Sequence, residues 1–158
     1  MLPRLLTALS PALTRTLLLA GLLSAAFAWA GGKVEPPLAH QQVSRKSFDD
    51  VVADAQFAIG EFNYRITGRN QIGEAIGERY DERFPNSVVI HFCNLEHARQ
   101  LLTKAPELAA HMPCKLVIYE TDQGVVVATW LLPPDPRLGE LQGEVNDMLQ
   151  QIVRYAVQ

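Results

Sequence analysis

The sequence predicts a two-layer α+β domain in which helices pack on a mostly antiparallel sheet. The first observation is a hairpin pattern, since "CKLVIYE" and "VVVATWLL" are β-rich runs separated by the turn "TDQG". The second is a pair of segments, residues 48–62 and 138–155, in which apolar residues recur at helical spacing. The third is the order of elements, α-β-α-β-α-β-β-α, which ends in a C-terminal amphipathic helix and is typical of an α+β domain.

Each element has its own local signal. Ser47 and Asp50 resemble a capping arrangement at the start of the first helix. The stretch "FNYRITGR" predicts a strand that ends at Gly68, and "QIGEAIGERYDER" predicts a short polar helix. The run "SVVIHFC" is rich in β-branched residues and predicts the next strand. The run "LEHARQLLTKA" predicts a helix that Pro106 weakens or ends.

The last helix carries an apolar stripe at alternating spacings of three and four. Core packing explains this stripe, and the seam of a homodimer is the alternative explanation. The stripe consists of Leu138, Leu141, Val145, Met148, Ile152 and Tyr155.

The N-terminal segment has the organisation of a secretory signal peptide. Arg4 and Arg15 precede an apolar run over residues 17–30, and this run ends in Ala28-Trp29-Ala30. The run is shorter than the roughly 20 residues that a membrane-spanning helix needs. We therefore expect residues 1–30 to be a signal peptide cleaved after Ala30, and the mature protein to be periplasmic or secreted with no membrane attachment.

Charge and composition limit the partners of the mature chain. Of 14 Lys and Arg the leader holds two, so 12 remain against 17 Asp and Glu, a net charge of −5. An acidic chain without a basic stripe is not expected to bind nucleic acid. Residues 31–45 are polar and contain prolines, which predicts a flexible arm. Residues 46–158 then form a single domain.

The unusual chemistry of the sequence lies in two clusters of nitrogen and sulfur side chains. Two cysteines in an exported chain favour a structural disulfide. A reversible thiol pair and a metal site are the two alternatives, and soft donors of this kind suit copper or zinc. No cofactor is predicted, because the spacing matches no structural zinc signature. The candidate metal ligands are His91, Cys93, His97, His111, Met112 and Cys114.

The disulfide requires a particular arrangement of the two strands. Cys93 closes one strand and Cys114 opens another, so antiparallel neighbours would bring them to the same edge. Their Cα atoms must then lie within about 7 Å of each other. Because side chains alternate along a strand, Cys114 shares a face with Leu116, whereas Cys93 shares a face with His91.

The motifs "FCN", "MPCKLVIYE" and "DQGVVVATWLLP" resemble domain-of-unknown-function family 302. Cys93 replaces a glycine of the family pattern, Leu95 replaces a proline, and Cys114 follows the Met-Pro step, which resembles the branch carrying FCN and MPC together. The resemblance implies a two-layer α+β fold similar to TATA-binding-protein domains, with dimers in some members, and implies no activity. The residues that match the family pattern are Phe92, Asn94, Pro113, Tyr119 and Glu120.

We interpret the chain as a binding module for a small ligand, a metal or a protein partner. The candidate ligand-binding residues are His91, Asn94, Pro113, Tyr119 and Glu120. The alternative is a periplasmic redox or sulfur-handling protein that uses Cys93 and Cys114. An enzyme is not expected, since the sequence contains no G-x-S-x-G, H-E-x-x-H or C-x-x-C motif and no phosphate-binding glycine loop.

Overall fold

The computed structural model describes residues 39–158. The predicted signal peptide, residues 1–30, and the first part of the predicted arm, residues 31–38, lie outside the described residues. In chain order the elements are β1 (Ala39–Ser44), α1 (Phe48–Glu61), β2 (Arg65–Asn70), α2 (Ile72–Tyr80), β3 (Ser87–Cys93), α3 (Leu95–Lys104), a 3-10 helix (Pro106–His111), β4 (Cys114–Thr121), β5 (Gly124–Trp130) and α4 (Glu140–Val157).

The strands form one five-stranded sheet in the order β1-β5-β4-β3-β2. Every neighbouring pair is antiparallel. The predicted fold class, an α+β domain with helices on a mostly antiparallel sheet and a C-terminal helix, is confirmed. Within the described residues, none of the helices combines the length and the apolar character that crossing a membrane requires.

The hydrophobic core lies between one face of the sheet and the helices α1 and α4. Buried and half-buried residues alternate along β3, as expected for a strand with one covered face. Ile90 and Phe92 are completely buried, and they pair with Leu116 and Cys114 of β4. This register places Cys114 on the core face of the sheet.

The apolar stripe at the C-terminal helix packs into this core. Tyr155 is the exception, because it is 43% exposed and stacks on Phe57 of α1 with 5.7 Å between the ring centroids. Core packing is therefore the correct account of the other five stripe residues. These buried residues are Leu138, Leu141, Val145, Met148 and Ile152.

The prediction of a flexible arm at residues 31–45 is wrong for Ala39–Ser44, which form β1 at one edge of the sheet. The strand pairs with β5 from Ala39 opposite Trp130 to Ser44 opposite Val125. An edge strand is held by backbone hydrogen bonds and needs no run of apolar side chains, so a polar sequence can form one.

The second correction concerns β2, because Gly68 does not end this strand. The strand continues to Asn70, and its pairing with β3 shifts by one residue between Ile66 and Gly68. A glycine inside a strand frequently marks such an irregularity. The first helix begins as predicted, since the Ser47 side chain accepts a hydrogen bond from the Asp50 backbone N–H at 3.2 Å.

Candidate functional site

The two cysteines lie at the same edge of the sheet. Cys93 is the last residue of β3 and Cys114 is the first residue of β4, and these strands are antiparallel neighbours. The antiparallel arrangement that the sequence analysis required is therefore present. Between the two cysteines, the chain forms α3 and the 3-10 helix before it returns to the sheet.

The predicted disulfide is not formed, and both cysteines are free thiols. The register of the sheet gives the physical reason. Phe92, and not Cys93, stands directly opposite Cys114. Cys93 lies one position beyond this pair, at the end of the strand, and its side chain reaches the same cavity as Cys114 without bonding to it. A disulfide would need the strand end to move from this arrangement.

A small cavity of about 20 Å³ lies beside the two thiols. A space of this size is enough for one water molecule or one ion, since a water needs about 10–15 Å³ by the same measure. Its walls come from the ends of β3 and β4, from α3 and from α4. The lining residues are Tyr64, Cys93, Asn94, His97, Ala98, Leu101, Met112, Cys114 and Val145.

Tyr64 and His97 form a fixed pair in the wall of the cavity. The Tyr64 hydroxyl and His97 Nδ1 are 2.5 Å apart and share a hydrogen bond. The Tyr64 ring also packs edge-on against Phe92, with 5.7 Å between the centroids. Tyr64 is not among the predicted site residues, because it precedes β2 in a loop and nothing in the local pattern indicates its contact with α3.

Asn94 has a structural role at the start of α3. Its Oδ1 accepts hydrogen bonds from the backbone N–H groups of Glu96 at 2.9 Å and His97 at 3.1 Å, which caps the helix. Its Nδ2 donates to the Asn63 carbonyl at 3.1 Å. The side chain predicted as a ligand-binding group therefore uses both ends to hold the cavity wall in place.

The cavity keeps its thiols in the neutral form. Burial, and to a smaller extent the nearby charge of Cys93, raises the pKa of Cys114 to about 11. Burial also raises the pKa of Cys93. The pKa of Tyr64 is raised, first by burial and then by the charges of the two cysteines. Because the thiolate is the reactive form, these thiols are not activated nucleophiles at neutral pH.

The six candidate metal ligands separate into two groups. Cys93, His97, Met112 and Cys114 line the cavity. His91 shares its face with Cys93 and has its Nε2 3.4 Å from Asn70 Nδ2, and His111 is exposed at the end of the 3-10 helix. Among residues 39–158 there is no group of three or more His, Cys, Asp or Glu side chains that could hold a metal ion.

The remaining candidate ligand residues do not gather at the cavity. Pro113 is half-buried next to Cys114. Tyr119 and Glu120 lie near the other end of β4. The distance along the strand from Cys114 to Glu120 is about 20 Å at 3.3 Å per residue. Glu120 lines an open groove of about 630 Å³ together with Arg83, Phe84 and Asp122, among others. Its Oε2 accepts a hydrogen bond from the backbone N–H of Asn86 at 2.9 Å.

Comparison with known proteins gives a family and a fold. The family model described as domain of unknown function DUF302 matches residues 40–155. Among solved structures, the chain is similar to an uncharacterized conserved protein DUF302 from Bacillus stearothermophilus, with a TM-score of 0.67 and 15% sequence identity. The match covers 77% of this chain and 98% of that chain. No curated protein matches the sequence.

Proposed function

Because this chain belongs to the DUF302 family, whose description assigns no activity, we propose its function from the cavity and the predicted signal peptide: it is an exported binding protein that holds a small ligand beside Cys93 and Cys114. One observation carries the proposal. The only two cysteines of the sequence, a methionine and a histidine from separate elements all line one small cavity. The predicted signal peptide at residues 1–30 supports the export part of the proposal.

The properties of the thiols favour binding over catalysis. Their raised pKa values leave them protonated at neutral pH, whereas a nucleophilic cysteine needs a lowered pKa. The cavity is also far smaller than the roughly 300–1,000 Å³ of sites that bind organic molecules. The ligand is therefore of the size of a single atom or ion, and sulfur contacts supply its selectivity.

Native mass spectrometry tests this proposal. The protein isolated from the periplasm without added metal or chelator should be heavier in the native spectrum than its denatured chain, by the mass of one small ligand. The Cys114→Ser variant should lose this excess, and the Met148→Leu variant, altered in the core outside the cavity, should retain it. A native wild-type mass equal to the bare chain would contradict the proposal.

A redox or sulfur-handling function is the second candidate, and the free state of both thiols supports it. In such a reaction Cys93 and Cys114 would form a disulfide while a disulfide of a partner protein is reduced to two thiols, so that two electrons and two protons pass to the partner. The same spectra distinguish this function, because the isolated protein would then include a form lighter by two hydrogen atoms. Failure of the reduced protein to form a Cys93–Cys114 disulfide when it is incubated with a disulfide-containing partner would contradict it.

A further inference from the structure

We infer that the ligand of the cavity is a monovalent copper ion, bound by the sulfur atoms of Cys93, Cys114 and Met112. This inference rests on the proposed binding function and names its ligand. Cys93 and Cys114 supply thiol sulfur and Met112 supplies thioether sulfur, all from residues that line the cavity. Thiolate and thioether sulfur are soft ligands, and this combination selects Cu⁺ over the harder divalent cations.

The rest of the cavity wall supports a soft cation and not a hard one. Ala98, Leu101 and Val145 give it an apolar surface, and the described lining includes no Asp or Glu. Calcium and magnesium require oxygen ligands, mainly carboxylates, which this wall does not supply. The Asn94 oxygen is already used by two backbone N–H groups of α3.

Zinc fits the cavity less well than copper. Structural zinc sites use four ligands from Cys, His, Asp and Glu, and thioether sulfur is not among them. In the described part of the chain these four residue types form no group of three that could hold a metal. His97 directs its Nδ1 to the Tyr64 hydroxyl, so this nitrogen is not available to a cation.

The binding reaction is balanced without an oxidant or a reductant. One Cu⁺ ion replaces the protons of the two thiols, two protons are released to solvent, and the ion forms bonds to both sulfur atoms. The thioether of Met112 adds a third contact without a change of protonation. The product carries one negative charge, and neither copper nor sulfur changes its oxidation state.

Anaerobic competition for Cu⁺ tests the inference. The reduced, metal-free protein should withdraw one equivalent of Cu⁺ from the chromophoric chelator bicinchoninate, and copper X-ray absorption should show sulfur ligands only. Met112→Leu keeps the apolar volume and removes the thioether, so we expect it to weaken binding by about tenfold or more, since even the loss of a residue that only orients a ligand costs about 10–100-fold. Met148→Leu is the matched control, because Met148 is buried in α4 outside the cavity, and its affinity should be unchanged.

The outcomes separate the ligand from the function. Equal Cu⁺ affinity in wild type, Met112→Leu and Cys114→Ser would place the ion elsewhere and overturn the inference. If the protein takes no Cu⁺ but the native mass still shows a ligand that Cys114→Ser removes, copper is wrong and the binding function stands. If neither is observed, both fail. If Cys114→Ser does not fold, the Cu⁺ affinities of Met112→Leu and Met148→Leu are sufficient for the test, and equal affinities would overturn the inference.

Discussion

At the scale of single residues, burial strongly lowers the acidity of the Cys114 thiol. Burial raises its pKa from 9.0 to about 11. Since the thiolate reacts with iodoacetamide, we expect the alkylation rate of Cys114 in the reduced, metal-free protein to increase with pH up to about 11. Peptide mass spectrometry measures this rate for each cysteine. In the urea-unfolded chain the alkylation rate should stop increasing above about pH 9.0, the ordinary pKa of a cysteine. The same plateau in the folded protein would contradict the prediction.

The same pKa shift makes stability depend on pH. The folded state holds the Cys114 proton more tightly than the unfolded state, so the unfolded chain loses its proton first as the pH rises. This contribution to stability is complete below pH 9.0 and is lost as the pH rises through about 11. Urea midpoints of the metal-free protein should decrease over this range. Cys114→Ala should show a shallower decrease, and parallel curves for the two proteins would contradict the assignment.

The Tyr64 hydroxyl offers a second test at this scale. Tyr64→Phe keeps the edge-on packing on Phe92 and removes the hydrogen bond to His97. We expect the free energy of unfolding to decrease by about 1 kcal/mol, the usual contribution of one hydrogen bond. Tyr80→Phe removes a hydroxyl from a side chain that is 68% exposed and is the control. Equal urea midpoints for the two variants would show that the Tyr64–His97 bond contributes nothing.

At the scale of elements, the N-terminus of α3 depends on one side chain. Asn94→Ala removes the cap of α3 and the hydrogen bond to the Asn63 carbonyl. We expect a loss of about 1–2 kcal/mol of stability, measured by denaturant unfolding with an unchanged slope. Gln71→Ala is the control, because Gln71 precedes α2 without a capping hydrogen bond from its side chain. A larger loss for Gln71→Ala would reverse the assignment.

Elements with strong periodicity could be predicted from the sequence, and elements held by backbone contacts could not. The α1 and α4 stripes and the β4–β5 hairpin follow from side chains whose spacing matches the buried face. The edge strand β1 is held by backbone hydrogen bonds to β5. Backbone hydrogen bonds require no particular side chains, so the polar sequence of β1 does not predict a strand. The disulfide prediction failed for a related reason. Sequence spacing predicts that Cys93 and Cys114 share an edge, but a register difference of one residue decides which side chain faces Cys114.

At the scale of the whole molecule, the end of β1 lies close against Gly124, the first residue of β5. This glycine has φ of 131°, and a Cβ there would overlap the Ser44 carbonyl oxygen. We expect Gly124→Ala to destabilise the protein by about 1–3 kcal/mol from backbone strain alone. Amide hydrogen exchange in β1 should become faster. Gly143→Ala is the control, since a Cβ at Gly143 in α4 meets nothing within 4 Å. This change should stabilise the helix by at most about 1 kcal/mol, because alanine has a higher helix propensity than glycine. Destabilisation by both variants would contradict the argument.

The pairing of β1 with β5 has a consequence for the order of events during synthesis. Ala39 leaves the ribosome long before its partner Trp130, and the residues between them supply the other three strands. Contacts between distant parts of a chain form slowly, because the intervening loop must close first. α4, which completes the core, is made last of all. A nascent chain therefore cannot complete this sheet, and the domain stays unfolded until almost its whole length has been translated.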